Sequence, residues 1–345
     1  MQNIRSFVVP GLALLLVGTL PGCGGGGSGT PTTPTPTATT TTTTTTGATF
    51  SGTVTNIVTG VRVGGATVTI GSVSATSNVD GTYSLAVTAS GQASLSVSAL
   101  GYYTRESAVS MTGATTINLE IIPQGDGFDL TFFDWAFRRN GTRGTARRIA
   151  TPTYEIWTRQ FTCIELSPDS WLACVRMQAL EAEIPPAFET LVRASLSKLG
   201  QLTGGVVANP VITKKSHAPG TILRRNDWGT APGVVSIEYQ TTGLWVDANN
   251  NGNDACFCSN DLNDSSAPGH IVYGTIAGLS QSIHEHEVAH SVGFEHPDTR
   301  VSVKPSTMGN APAITSADEL HGRILYKRPN GSLTPDRDPS GVTIN

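Results

Sequence analysis

Hydrophobic and polar residues alternate in short runs through the first third of the chain. This two-residue period is typical of half-buried β-strands. Glycine-rich and Asp-Gly breaks separate the runs, and helical patterns are almost absent. The sequence therefore predicts a small antiparallel β-sandwich at residues 48–123. Its strands are expected at residues 49–55, 66–70, 83–87, 93–99 and 115–121.

From residue 151 onward the pattern changes, because strand-like and helical periods follow one another. Strands are predicted at residues 154–161, 210–213, 234–239 and 270–276. A helix is predicted to open at Pro185 and Pro186 and to end at Gly200. Its apolar face carries Phe188, Leu191, Val192, Leu196 and Leu199.

A further helix is predicted over residues 316–326, with Ser316 as its N-cap and Asp318 and Glu319 in its first turn. Lys327 and Arg328 follow near its end. The pattern as a whole indicates a second, α+β domain at residues 151–328, followed by a C-terminal tail at residues 329–345.

The segment at residues 1–22 has the features of a secretory signal, with Arg5 before a short apolar stretch. It ends in Leu20-Pro21-Gly22-Cys23, which resembles a bacterial lipobox and implies lipidation of Cys23. The alternative is an ordinary signal peptide that is cleaved nearby. Residues 23–47 are rich in Gly, Thr and Pro and are expected to form a disordered tether. We therefore expect an exported protein, either a lipoprotein of the cell envelope, at the outer membrane or cell surface, or an extracellular protein, with a membrane contact through the lipid.

A connector at residues 124–150 combines arginines with aromatic residues such as Phe132, Phe133, Trp135 and Phe137. One interpretation is a short helix that docks its aromatic side chains on the next domain. The other is an inhibitory segment that covers the functional site.

Charge and cysteine content narrow the class of protein. The net charge is −4 and no basic run is present, so the sequence gives no indication of nucleic-acid binding. Separately, we expect a monomer. Four cysteines follow Cys23, and an even number in an exported protein favours disulfides. A Cys163–Cys174 pair is one prediction. Cys256 and Cys258 could instead pair elsewhere, clip their own acidic loop or bind a second metal ion.

The segment His286-Glu287-Val288-Ala289-His290-Ser291-Val292-Gly293-Phe294-Glu295-His296 carries the clearest chemistry. Two histidines four residues apart lie on one helix face and can reach one ion. Gly293 allows the helix to end, and the chain can then return His296 as a third ligand. Three protein ligands and an open position are typical of a catalytic zinc ion, here one per chain. Glu287 is placed to accept the proton of an attacking water.

The full H-E-x-x-H-x-x-G-x-x-H pattern resembles that of the metzincin zinc peptidases, and most closely their matrixin branch. The resemblance extends to Pro305-Ser306-Thr307-Met308-Gly309, where Met308 would be the Met-turn residue beneath the metal. It implies a twisted mixed sheet, a zinc helix, a Met-turn and an edge strand at residues 270–276 that binds extended substrates. The chain departs from the matrixin pattern at Pro297, and it lacks the tyrosine that other branches have two residues after Met308.

The first domain is similar to the carboxypeptidase regulatory-like domain, which has a prealbumin-like sandwich. The residues that carry this resemblance are Gly52-Thr53-Val54, Gly65-Ala66-Thr67-Val68, Asp80-Gly81-Thr82-Tyr83 and Gly101-Tyr102. No cluster of catalytic or metal-binding residue types is apparent there in the sequence.

A further loop has the oxygen spacing of a calcium site at Asp247, Asn249, Asn251 and Asp254. Its twelfth position is Cys258, where an EF-hand has glutamate, and a plain Asx-rich loop explains the pattern equally well. Structural Ca²⁺ is therefore one of two interpretations.

Two functions follow from the sequence. The first is a secreted or surface-anchored zinc endopeptidase, which cleaves a protein or peptide substrate with Glu287 as general base. The second is a surface module that binds carbohydrate or protein and carries a catalytically silent zinc domain.

Overall fold

The computed structural model describes residues 47–88, 91–111, 113–138, 152–166, 174–224, 231, 233–241, 255–259, 269–297, 304–309 and 311–344, with residues 166 and 255–259 as backbone only. The alternating runs of the first domain fold into two sheets that face each other across one apolar core. Their strands are β1 (Ala48–Asn56), β2 (Thr67–Ile70), β3 (Val73–Thr76), β4 (Thr82–Val87), β5 (Gly91–Ser98), β6 (Arg105–Met111), β7 (Thr115–Thr116) and β8 (Leu119–Ile121).

In one sheet β1 pairs with β4 on one side and with β7 and β8 on the other. In the second sheet the order is β3-β2-β5-β6, and every pairing is antiparallel. This is the β-rich, sandwich-like domain that the sequence predicts, and it is compatible with a prealbumin-like fold.

The single strand predicted at residues 115–121 is divided in two. β7 and β8 both run beside β1, and between them Ile117 donates its N–H to Ser51 at 2.7 Å. Gly52 lies at this crossing with φ of 155°, and a Cβ there would be 1.9 Å from the Ile117 oxygen. Only glycine fits such a close backbone approach.

The described part of the connector forms a short helix, α1 (Leu130–Phe137). Asp129 caps it by accepting a hydrogen bond from the Phe132 N–H at 3.0 Å. Phe132, Phe133 and Phe137 are buried in the core of the second domain. This confirms the docking interpretation for residues 130–137; residues 139–150 lie outside the described residues, so the inhibitory interpretation stays a prediction.

The second domain is built on a mixed sheet of seven strands with the order β12-β10-β9-β13-β15-β14, and β11 pairs parallel with β9. Its strands are β9 (Thr153–Leu166), β10 (Cys174–Glu183), β11 (Val211–Lys215), β12 (Ile222–Arg224), β13 (Val234–Gln240), β14 (Ala255–Ser259) and β15 (Gly269–Tyr273). A disulfide joins Cys163 in β9 to Cys174 in β10, as predicted.

One expectation about this sheet is wrong. The strand predicted at residues 270–276 is β15, and it is not the edge. β14 pairs antiparallel with it on the outer side, so β14 is the edge strand among the described residues. Cys256 and Cys258 are in β14; their side chains lie outside the description.

Among the described residues, four further helices share a core with this sheet, namely α2 (Pro186–Leu196), α3 (Leu199–Leu202), α4 (Gln281–Ser291) and α5 (Ser316–Tyr326). The helix expected to end at Gly200 is two helices, because the chain breaks at Ser197 and Lys198 and Gly200 lies inside α3. The N-cap of α5 is Thr315 rather than Ser316, and Thr315 forms a reciprocal capping box with Asp318. Within the described ranges, no helix is both long and apolar enough to span a membrane.

The tail after α5 is bound to the first domain. Glu106 N–H donates to Asp336 O at 2.9 Å, Asp338 N–H donates to Glu106 O at 2.8 Å, and Ile344 N–H donates to Ala108 O at 2.8 Å. A buried ion pair at 3.1 Å joins Arg105 of β6 to Asp338. The tail therefore lies along the edge strand β6 of the sandwich.

Candidate metal centre

The three predicted histidine ligands come together at the end of α4. His286 and His290 lie one turn apart on this helix, and Gly293 follows it with φ of 103°, a conformation that favours glycine. The chain then returns, so that Nε2 of His296 lies 3.2 Å from Nε2 of His286 and 3.0 Å from Nε2 of His290. Within the described ranges this is the one group of three side chains that could hold a metal ion.

Hydrogen bonds on the far side of the rings orient two of these ligands. Nδ1 of His286 lies 2.8 Å from the Thr307 carbonyl, and Nδ1 of His290 lies 2.7 Å from the Phe294 carbonyl. A carbonyl oxygen only accepts, so each Nδ1 carries the proton and each Nε2 presents a lone pair. This tautomer is assigned from the hydrogen-bond network.

This arrangement fits a zinc ion. Tetrahedral zinc with Zn–N bonds of 2.0–2.1 Å separates its nitrogen ligands by roughly 3.3 Å, close to the distances of 3.2 and 3.0 Å from Nε2 of His296 to those of His286 and His290. A proton on Nε2 of His296 could satisfy only one of the two facing lone pairs. A cation between the rings would satisfy all three.

Burial lowers the pKa of two of the three histidines. It lowers the pKa of His286, although the bond to the Thr307 carbonyl opposes the change, and it also lowers the pKa of His296. Both imidazoles therefore remain neutral, the form that binds a metal, to lower pH than a free histidine.

Glu287 follows the first ligand and is buried, with 6% of its surface exposed. The pKa of Tyr273 in β15 is raised well above its ordinary value. Burial is the larger cause, and the nearby charge of Glu287 adds to it. Tyr273 is thus neutral, and its buried hydroxyl has no hydrogen-bond partner in the described part of the chain.

The predicted Met-turn lies against the first ligand through Thr307, the residue before Met308. Met308 is buried, and its N–H donates to Ser306 Oγ at 3.0 Å. The carboxylate of Asp318 on α5 accepts hydrogen bonds from Ser306, from the Thr307 N–H and from Thr315. Asp318 thereby fixes the carbonyl that orients His286.

Sequence reasoning assigned Asp318 only to a helix start, and it missed Glu285 altogether. Glu285 is buried on α4, where it pairs with Lys198 and accepts the N–H of Ile314 at 3.1 Å. It therefore ties α4 to the loop that follows Met308. The available signal was a second glutamate on α4 one position before His286, which the motif does not explain.

Neither His217 nor His270 joins the three-histidine group. His270 lies buried between Ser236 (2.6 Å from its Nδ1) and Glu238 (2.8 Å from its Nε2). Burial raises the pKa of Glu238, and the bond to His270 opposes this. Ser236 and Glu238 are two residues apart on β13 and share one face of the sheet. Tyr239 lies on the other face, where it contacts Phe188 of α2. The hydrogen bonds between Ser236, His270 and Glu238 are therefore on the face of the sheet opposite α2.

Two predicted sites cannot be placed. Cys23, together with the signal segment, and the calcium-type loop at Asp247, Asn249, Asn251 and Asp254 lie outside the described residues.

Comparisons with known proteins bear on the first domain. The family model of the carboxypeptidase regulatory-like domain matches residues 49–122. No curated protein matches the chain.

Three solved structures are similar to short parts of it. One is a type II cohesin–X–dockerin complex from Acetivibrio cellulolyticus, with 23% identity and a TM-score of 0.19. This match covers 21% of this chain and 56% of that chain. The second is a protein of unknown function from Bacteroides fragilis, described as a candidate membrane-associated protein, with 28% identity over 23% of this chain and 28% of that chain and a TM-score of 0.19.

The third is a DUF3823 family protein from Parabacteroides merdae, with 19% identity, coverages of 23% and 47% and a TM-score of 0.20. Each match covers less than two thirds of the other structure. Residues 49–122 are thus similar to the carboxypeptidase regulatory-like domain, and the three-histidine group lies outside that match.

Proposed function

We propose that the chain is a zinc-dependent endopeptidase of the metzincin type that is exported and held at a cell surface by a lipid on Cys23. The observation that carries the proposal is the convergence of the three histidine Nε2 atoms, two of them with lone pairs set by carbonyl bonds on the opposite nitrogen. His286, His290 and His296 would hold the ion.

Glu287 would perform the proton transfers. When bound, zinc lowers the pKa of a water molecule and stabilises negative charge on the substrate carbonyl. The Glu287 carboxylate would accept the proton of the attacking water and pass it to the leaving amine. Its position directly after the first ligand supports this role.

An extended peptide would bind along the edge strand. The metzincin resemblance implies such an edge beside the metal, and β14 has a neighbour on one side only, β15, among the described strands. A peptide that added to β14 would gain main-chain hydrogen bonds without a specific side chain. This supports a protein or peptide substrate.

The disulfide between Cys163 and Cys174 supports export, because such bonds persist in oxidising compartments. Structural Ca²⁺ remains one of the two interpretations of the Asp247 loop, beside a plain Asx-rich loop. The monomeric state and the absence of a nucleic-acid partner are part of the proposal.

A second candidate is a surface module that binds carbohydrate or protein while its zinc domain is silent. One observation favours it: a cavity of about 530 Å³ lies between β5, β6 and the tail. Its polar lining includes Ser94, Ser96, Glu106, Arg337 and Ser340.

The deciding experiment is cleavage of casein and a broad peptide library by wild type and Glu287→Ala, each with and without a chelator. Loss of the general base should lower kcat/KM by about 100- to 10,000-fold while one zinc per chain is retained. Glu319→Gln, an exposed change on α5, serves as the matched control and should cleave at the wild-type rate. Wild-type cleavage by Glu287→Ala would refute the mechanism, and a zinc-loaded wild type that cleaves nothing would favour the second candidate.

A further inference from the structure

The turn that carries the third ligand is bound by the connector helix. Glu295, one residue before His296, donates its N–H to the carbonyl of Ala136 at 2.7 Å. Ala136 lies in the last turn of α1, where helical carbonyls have no partner within the helix. The metal-binding turn therefore supplies the hydrogen bond that completes this helix end.

A ring contact reinforces the same connection. Phe294 meets Phe137 of α1 edge-to-face, with ring centroids 4.6 Å apart, and both rings are buried. On the side of α5, a Cβ at Gly322 would lie 2.6 Å from Cζ of Phe294. Phe294 is therefore held between two helices, and its carbonyl orients His290.

α1 is itself firmly placed. The Asp129 N–H at its start donates to Nε2 of His321 on α5 at 2.9 Å, and Nδ1 of His321 bonds to Ala317 at 2.7 Å. At its other end Arg138 is buried, and its Nε donates to Ser332 O at 3.2 Å. The helix can thus act as a fixed support.

His296 depends on this support more than the other ligands do. His286 and His290 each have a carbonyl bond on Nδ1, whereas His296 makes none in the described part of the chain. The position of its ring is therefore set by the backbone of Phe294 and Glu295.

We propose that Phe137 is a positioning residue for the metal centre: through Phe294 and Glu295, the connector helix places His296 and so sets the affinity for zinc. The inference rests on the proposed zinc site. It gives the connector a role in metal binding, in addition to its role in the core.

The test compares Phe137→Ala with Phe133→Ala in the full chain. Phe133 is a matched control, since it is a buried phenylalanine one turn earlier on α1 and packs on Phe128 and Phe137. The zinc dissociation constant is measured by competition with a chromophoric chelator, on protein whose fold is verified by circular dichroism. We expect it to rise about 10- to 100-fold for Phe137→Ala, as for other groups that orient ligands, and less than about 3-fold for Phe133→Ala.

Cobalt substitution adds a readout that a purely structural role would not change. The visible bands of bound Co²⁺ report its coordination, and they should differ from wild type in Phe137→Ala but not in Phe133→Ala. Phe137→Leu keeps most of the apolar volume, so it tests the proposal if the alanine variant fails to fold. Its zinc dissociation constant should then be higher than that of wild type.

Equal zinc affinities and equal cobalt spectra in the two alanine variants, or a wild-type affinity in Phe137→Leu when Phe137→Ala is unfolded, would overturn the inference. These outcomes differ from failure of the proposed function, in which wild-type protein itself would bind no zinc or cleave no peptide.

Discussion

The sandwich at residues 48–121 and the candidate metal centre at residues 281–308 differ in what makes each recognisable. The sandwich is similar to a known family over nearly its whole length, and the described part of it contains no metal-binding group. The metal centre lies outside that match and contains three convergent histidines. Family similarity accumulates over many strand and turn positions, whereas chemistry requires a few side chains in a fixed arrangement, so one can be strong where the other is weak.

The two regions also differ in buried polar groups. The buried polar residues of the sandwich are few, among them Asn56, Ser77 and Arg105. Around the candidate metal centre they are numerous, among them His284, Glu285 and Asp318, and most of their polar atoms have hydrogen-bond partners. All seven histidines of the chain lie at residues 217–321. The sandwich is therefore expected to tolerate metal loss and acid, and the second domain is not.

Removal of one ligand should produce the largest difference between the regions. In His290→Ala, peptide cleavage should fall at least about 1000-fold, since metal catalysis supplies several kcal/mol of transition-state stabilisation. Amide hydrogen exchange in the sandwich should be unchanged. His217→Ala, a histidine outside the cluster, should retain zinc and cleavage. Lost protection throughout residues 48–121 of His290→Ala would show that the regions are not separable in this way.

The buried ion pair between Arg105 and Asp338 tests the opposite possibility, that the regions are stabilised together. Asp338→Ala leaves the Arg105 guanidinium buried without its partner, so the free energy of unfolding in urea should fall by about 3–5 kcal/mol. Arg105→Met combined with Asp338→Leu should recover most of this. Arg337→Ala, which breaks a more exposed pair with Glu106, should cost less than about 1 kcal/mol. A similar small loss for Asp338→Ala would contradict the prediction.

One glycine in each region gives a matched pair of substitutions. A Cβ at Gly52 would lie 1.9 Å from Ile117 O, and a Cβ at Gly322 would lie 2.2 Å from Leu202 O. Each change to alanine should lower the free energy of unfolding by about 2–3 kcal/mol. Only Gly322→Ala should also weaken zinc binding, because it displaces Phe294. Equal zinc affinities in the two variants would contradict this difference.

Acid should affect the second domain through two buried histidines. Burial lowers the pKa of His284 and of His321 to about 4 in each case. Because the folded pKa lies below that of the unfolded chain, the unfolded state binds protons first as the pH falls. The stability contributed by each is complete above about pH 6.5 and is lost toward pH 4, by roughly 2 kcal/mol per histidine at pH 5.

The measurement is urea unfolding at pH 7 and pH 5. The His284 ring contacts that of Tyr273, with the centroids 4.1 Å apart, so His284→Phe keeps an aromatic ring and removes the titration. Its loss of stability between the two pH values should be about 2 kcal/mol smaller than that of wild type. An unchanged loss would show that His284 does not control the acid response.

The sequence predicted those elements whose signal is local. The ligand set followed from a helical repeat and a glycine, and the structure brings the three histidines together as expected. β3 and β6 were missed because serine and charged residues mask their alternation, and β14 was missed because it lies in a stretch rich in Asn and Asp.

The residues that position the three histidines could not be predicted from the sequence in the same way. Thr307 and Ala136 act through backbone carbonyls, which any residue provides, and they lie far from their partners along the chain. Asp318 performs two functions, only one of which its position in a helix start indicates. Such contacts become visible only when distant segments are brought together.

The tail along β6 has a consequence for the order in which the chain folds. The sandwich precedes the second domain in synthesis, but Arg105 and Ser107 bond to Asp338, more than 200 residues later. Domains generally fold in the order in which they emerge, yet the edge of β6 stays uncovered until residues 336–344 arrive. An uncovered strand edge can pair with another chain. Completion of the first domain, and its protection against self-association, therefore depend on synthesis of the second domain and the tail that follows it.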